Sequence, residues 1–210
     1  MTMVDSMMRF TSRASRREFL KTVAGLSALA ASAAAPSVAQ DRPLRPTPSC
    51  SGSAAPTERQ TEGPYFKPDS PLRASLLEPG LTGTPIVVTG MVLSTTCQPI
   101  ARALIDVWHA DDRGAYDTTG FRLRGHQFTD DQGRYRLETI VPGIYVGRTR
   151  HFHLKVQAPN RPLLTTQLYF PGEAVNARDP IFSPELVMRV TETTTGKAGS
   201  FDFVVDLGRR

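Results

Sequence analysis

Residues 148–156 read RTRHFHLKV and place two of the chain's four histidines, His151 and His153, one residue apart. Side chains at i and i+2 of a β-strand point to the same face. The pair can therefore reach one ion from a rigid support. The spacing alone leaves a second reading open, a pair of solvated or hydrogen-bonded histidines. Two ligands do not hold an ion tightly, so further donors must come from elsewhere. Cys50 and Cys97 are remote in sequence from every histidine, and a disulfide would take both. There is no H-E-x-x-H pattern and no third histidine close by, so the common zinc arrangements are not met. His109 and His126 each stand alone and read as surface or structural residues. Two routes to a full shell remain. One is a carboxylate beside the two histidines, as in Fe(II) sites, with a Zn(II) enzyme as its variant. The other is tyrosine, whose phenolate is a hard oxygen donor suited to Fe(III). The chain has five tyrosines: Tyr65, Tyr116, Tyr135, Tyr145 and Tyr169. Each of them fits a core or rim position equally well by composition.

These residues need a frame. PIVVTGMVLS (Pro85–Ser94) places Ile86, Val88, Gly90 and Val92 at period two, and GRYRLETI (133–140) alternates Tyr135, Leu137 and Thr139 with charged residues. ALIDVW, HFHLKVQA, TTQLYF, ELVMRV and SFDFVVDL are further short strand candidates, separated by DDQG, VPG, APNRP and TTTGKAG. In the TDDQG segment, Asp130 and Asp131 read as hairpin-turn residues rather than calcium ligands. No stretch after residue 60 holds a helical period over twelve residues. The pattern predicts an all-β fold, an antiparallel sandwich of short strands with long loops and little helix.

The chain has 210 residues and a net charge of +5. Residues 1–39 hold five basic and two acidic side chains, so most of that charge is local. The remainder carries about +2, and no basic run interleaved with aromatics is present; nucleic acid is not an expected partner. Ser15–Gln40 combines the pair Arg16-Arg17, the apolar stretch Val23–Ala35 and the small residues Ser37-Val38-Ala39. The apolar stretch is shorter than the ~20 residues that span a bilayer. Residues 1–39 resemble a twin-arginine (Tat) export signal, cleaved after Ala39. The resemblance implies passage through the Tat translocase and a periplasmic or secreted protein. Residues 40–60 are rich in Pro, Ser, Thr and Ala and read as an N-terminal arm; residues 61–210 read as the folded domain. An oxidising compartment permits a Cys50–Cys97 disulfide, worth about 3–4 kcal/mol on the chain-entropy model; two free thiols are the alternative.

Five separated motifs carry a resemblance. TEGPYF (61–66), ALIDVWHADDRGAYD (103–117), LRGHQFTDDQGRYRLETIVPGIY (123–145), RTRHFHLKV and TTQLYFPGE (165–173) follow in the order found in intradiol ring-cleavage dioxygenases. The chain looks more like the protocatechuate 3,4-dioxygenase branch, in an exported form, than the catechol 1,2-dioxygenase branch. The resemblance implies one non-haem Fe(III) held by Tyr116, Tyr145, His151 and His153. It implies a base role for Tyr145, a charge-stabilising role for Arg148, and a place near the substrate for Arg148 and Gln167. The partners it implies are a catechol-type small molecule and O2, in aromatic compound catabolism, with a cis,cis-muconate-type product. Trp108 reads as a packing residue, and Arg150 has no assigned role. The segment between Tyr116 and Tyr145 is short for the protocatechuate enzymes. The sequence leaves the substrate and any oligomeric state open. The rival from another class is an exported β-sandwich binding module without turnover.

Overall fold

The computed structural model describes residue 50, residues 53–145 and residues 147–208. Residues 1–39, read from sequence as an export signal, and most of the arm lie outside the described residues. Among these residues, nine strands form two sheets. They are β1 (Pro85–Ser94), β2 (Leu104–Trp108), β3 (Arg124–Phe128), β4 (Arg134–Ile140), β5 (His151–Gln157), β6 (Leu164–Tyr169), β7 (Arg189–Thr193), β8 (Gly196–Ser200) and β9 (Phe203–Val205). One sheet has the order β4-β1-β8-β7, with β9 also on β1; the other is β3-β2-β5-β6. Two 3-10 turns, Asn176–Arg178 and Pro184–Leu186, are the helical elements among the described residues. The all-β sandwich is as the alternation predicts.

The inner faces follow the pleat. In β1 and β4, Ile86 pairs with Thr139, Val88 with Leu137 and Gly90 with Tyr135. In the second sheet, Val107 pairs with Leu154 and Ile105 with Val156, while Phe152 pairs with Leu168. These apolar side chains join one core cluster between the sheets.

Three local features differ from the sequence reading. The sandwich is not wholly antiparallel: β8 and β9 both run parallel to β1. Phe201 and Asp202 interrupt the SFDFVVDL alternation. There the Phe201 carbonyl lies 1.7 Å from where a Cβ on Gly90 would stand, so only glycine admits it. Asp202 then accepts the Met91 amide, 2.8 Å. In ELVMRV, Pro184 starts a 3-10 turn and the strand begins only at Arg189. The TTTGKAG turn shrinks to Thr194–Thr195, because Lys197, Ala198 and Gly199 pair with β1.

The outer face of the second sheet is also covered. Segment 58–76 lies along it: the Gln60 amide donates to the Thr165 carbonyl, and the Arg73 amide to that of His126. Phe66 packs on Trp108, ring centroids 5.0 Å apart. Ser70 donates to Asp106, 2.8 Å, and His126 donates to the Ser70 carbonyl, 2.7 Å. Burial raises the pKa of Asp106. Cys50 and Cys97 are joined in a disulfide, their Cα atoms 5.5 Å apart.

Candidate metal centre

Cross-strand register builds the floor of the site. Trp108 pairs with both Arg124 and His153, and His153 pairs with Gln167. Paired residues share a face, so Arg124, Trp108, His153 and Gln167 form one row across the outer face. His151, paired with Tyr169, stands in the next row. Trp108 stacks on the His153 ring, 5.0 Å and 7° between planes. Gly63 lies over the same ring with φ +71°, and a Cβ there would be 3.2 Å from its Cε1.

Loops bring the phenols. Tyr116 sits between two acids that shape its turn. Asp111 accepts the amides of Arg113 and Ala115, at 2.9 and 2.8 Å. Asp117 accepts those of Thr119, Gly120 and Arg122, and these bonds hold its carboxyl well below the usual range even though burial opposes them. The Tyr145 loop is tied to the Asp111 turn, Gly143 amide to Asp111 carbonyl, 2.6 Å. Arg150, without a role from sequence, clamps that loop. It donates to the Pro142 carbonyl, 2.6 Å, and pairs with Glu173, 3.0 Å.

The four expected ligands come together. His151 Nε2 and His153 Nε2 are 3.0 Å apart, and Tyr116 Oη is 3.5 Å from His151 Nε2. The Tyr116 and Tyr145 rings meet edge to face at 5.8 Å. His151 donates Nδ1–H to the Thr149 carbonyl, 2.6 Å, which leaves its Nε2 lone pair facing His153. Either His153 donates Nε2–H to that lone pair, or a cation stands between the two nitrogens. A separation of 3.0 Å is roughly that of two neighbouring donors each ~2.1 Å from one ion. Burial lowers the pKa of His151 to about 4, and that of His153 well below the ordinary value. Both imidazoles are thus neutral near pH 7, as a ligand must be. Burial raises the Tyr116 pKa, so this phenol needs a nearby cation to ionise. Among the described residues no group of three His, Cys, Asp or Glu side chains could hold a metal. That leaves a 2-His-1-carboxylate shell without its carboxylate, while the donor set of two neutral imidazoles and two phenols fits a hard, highly charged ion. His153 Nδ1 and Trp108 Nε1 are buried without hydrogen-bond partners.

Arg148 and Gln167 stand beside this group. Arg148 Nε donates to both oxygens of the fully buried Asp179 carboxylate, 3.0 and 2.8 Å. Its Nη2 donates to Gln167 Oε1, 2.7 Å, and Gln167 Nε2 donates to the Thr61 carbonyl, 3.0 Å. Sequence reasoning missed three residues here. Tyr65 hydrogen-bonds Tyr145, Oη to Oη 2.9 Å, and stacks on Tyr116 at 4.4 Å; its signal was the TEGPYF motif. Asp179 has no local signal. Arg124 lies within the LRGHQF motif but was given no role there. His109, read as surface or structural, is structural: it is 1% exposed, donates to the Ala110 carbonyl and accepts from Thr139.

A family model described as a dioxygenase matches residues 61–207, a span that contains all four ligand candidates. The chain belongs to the intradiol ring-cleavage dioxygenase family. Its structure resembles the dioxygenase domain of a dioxygenase–carbohydrate-binding protein fusion from the cellulolytic bacterium Streptomyces sp. SirexAA-E. That match has 55% identity and a TM-score of 0.72, and covers 73% of this chain and 100% of that one. The protocatechuate 3,4-dioxygenase beta chain of Burkholderia cepacia is 33% identical over 60% of this chain and 64% of its own length. A chlorocatechol 1,2-dioxygenase of Pseudomonas putida is 30% identical over 69% of this chain and 66% of its own. The chain thus spans slightly less than two thirds of these last two relatives. Relatives with different substrate names match at similar identity.

Proposed function

We propose that this protein binds one Fe(III) through Tyr116, Tyr145, His151 and His153 and uses O2 to open a catechol-type ring between its two hydroxyl-bearing carbons. Both oxygen atoms enter the product, a cis,cis-muconate-type diacid; the ring C–C bond breaks as the catechol is oxidised and O2 reduced. The observation that carries this reading is the meeting of two neutral histidines with two phenols and, among the described residues, no carboxylate. Bound Fe(III) would supply Lewis acidity, favouring the tyrosinates and the deprotonated catechol.

The chain's own residues then have distinct tasks. Tyr145 Oη accepts a proton from a catechol hydroxyl, and Tyr65 Oη, 2.9 Å away, steadies that oxygen by hydrogen bonding. Asp179 and Gln167 hold Arg148 by Nε and Nη2. Its Nη1 has no hydrogen bond among the described residues and is the donor offered to negative charge on the ring, a preorganised role. The twin-arginine segment and the disulfide support work outside the cytoplasm.

The test is purified protein loaded with Fe(III) and given a panel of catechols under 18O2. We expect a red-brown protein with a broad phenolate-to-iron band, and a diacid carrying both labelled atoms. A colourless protein holding stoichiometric zinc would overturn the reading. Tight catechol binding without product would make the chain a binding module.

A further inference from the structure

Two arginines border the site, and they are held in opposite ways. Arg148 is paired with a carboxylate. Arg124, the first residue of β3, is 2% exposed and makes its hydrogen bonds to main-chain carbonyls alone. Nη1 donates to the Tyr65 carbonyl at 2.6 Å; Nη2 and Nε donate to the Asp117 carbonyl at 2.7 and 3.2 Å. Neutral acceptors compensate a buried guanidinium less well than a carboxylate does. A stabilising ion pair therefore does not account for this placement.

The acceptors suggest what does. Asp117 directly follows Tyr116, and the Tyr65 and Tyr116 rings stack 4.4 Å apart at 11°. The guanidinium thus joins, from behind, the two main-chain segments whose rings meet in front. Tyr65 passes that constraint on to Tyr145 through the phenol–phenol bond of 2.9 Å. Trp108, the cross-strand neighbour of Arg124, stacks on His153. One rigid fork therefore holds the Tyr65 and Tyr116 segments directly, while its strand neighbour packs on His153. The geometry points to Arg124 as a positioning residue of the metal centre, fixing the spacing of the Tyr65 and Tyr116 segments so that the phenols converge on the histidines. A lysine keeps the charge but has no planar fork to span two carbonyls.

The metal part of this inference rests on the Fe(III) reading; the positioning part does not, and the experiment separates them. Arg124→Lys and Arg124→Met are compared with the wild-type protein by two measurements. The first is amide hydrogen exchange in metal-free protein at Thr119, Gly120 and Arg122, whose amides the Asp117 carboxylate holds, with β1 amides as reference. The second is Fe(III) affinity by chelator competition, together with the position of the visible band. Both variants should exchange at least about tenfold faster at the three loop amides, with β1 unchanged. They should bind Fe(III) about 10–100-fold more weakly, with a shifted band, as for other residues that orient ligands. Wild-type loop exchange, or faster exchange spread equally over β1 with Fe(III) affinity intact, would overturn the proposal. Arg124→Lys retains the charge and the stem, so it decides the matter if Arg124→Met does not fold. If the wild-type protein takes up no Fe(III), the functional reading fails and loop exchange alone decides the role of Arg124.

Discussion

Around His151 and His153 the two faces of the β3-β2-β5-β6 sheet are both buried, yet they are built from opposite materials. The inner face presents Ile105, Val107, Phe152, Leu154 and Val156 to the other sheet. The outer face presents Arg124, Trp108, His151, His153 and Gln167 to loops. Along β5 the two materials alternate residue by residue. The difference shows how a small sandwich carries a polar centre without weakening its core. The apolar face supplies stability and a rigid platform, and the polar face is shielded by segment 58–76 and the two tyrosine loops.

The sharpest way to break this division is to change one residue on each face. Tyr116→Phe removes a single oxygen whose nearest partner, His151 Nε2, is 3.5 Å away, too far for a strong hydrogen bond. Metal-free stability should stay within about 1 kcal/mol. Fe(III) affinity should fall by more than the ~10–100-fold typical for loss of a residue that merely supports a ligand, and the visible band should lose intensity. Phe152→Ala, between the two histidines in sequence and 0% exposed, should do the reverse. It should destabilise by about 3–5 kcal/mol in chemical denaturation, while the folded fraction binds one Fe(III) with an unchanged band. Loss of iron binding in folded Phe152→Ala, or a large loss of stability in Tyr116→Phe, would show that the faces are not independent.

His109 is the exception that tests the comparison from within. It follows Trp108, so it turns inward, where it bonds Thr139 of the other sheet at 2.6 Å and meets Phe152 edge on. Burial lowers its pKa to about 4. The unfolded chain protonates this group near pH 6.5, so the folded state binds fewer protons between about pH 6.5 and 4. The stability contributed by the neutral form is complete above 6.5 and is lost as pH falls towards 4. Metal-free protein should lose about 2–3 kcal/mol from this group between pH 7 and 4.5. His151 is lowered in the same direction, so His109→Gln serves as the control and should show a pH dependence smaller by that amount. An imidazole of His109 that titrates near 6.5 in the folded protein would refute the assignment.

How much of this was legible in the sequence depends on what fixes each residue. The period-two patterns of β1, β4 and β5 gave the sandwich and put both histidines on one face, because a pleat is a local rule. β3 was not legible. Its inward positions are Gly125 and Gln127 and its outward ones Arg124, His126 and the exposed Phe128, so the strand shows no apolar alternation. Tyr116 and Tyr145 lie in loops, where spacing carries no period; only motif order singled them out. Asp179 meets Arg148 across a long stretch of chain, and nothing beside it announces the contact. Arg124 reads as solvated charge until segment 58–76 closes over it. The parallel pairing of β8 and β9 with β1 depends on a glycine that also looked like one more inward-facing strand position.

The smallest expected effect sharpens the comparison most finely. Tyr65→Phe keeps the ring that stacks on Tyr116 and deletes only the hydroxyl that bonds Tyr145. A single part-buried hydrogen bond contributes about 0.5–1.5 kcal/mol net, so the fold should survive with a stability loss in that range. On the inner face an oxygen-for-hydrogen change would have no further consequence. On the outer face this one sits against Tyr145, a proposed ligand. The variant should therefore keep its Fe(III) yet show a displaced phenolate band and slower catechol turnover, since Tyr145 loses the neighbour that steadies its oxygen. A band and turnover identical to wild type would make Tyr65 a packing residue only, and would move the boundary of the chemically active face inward to the four ligands and Arg148.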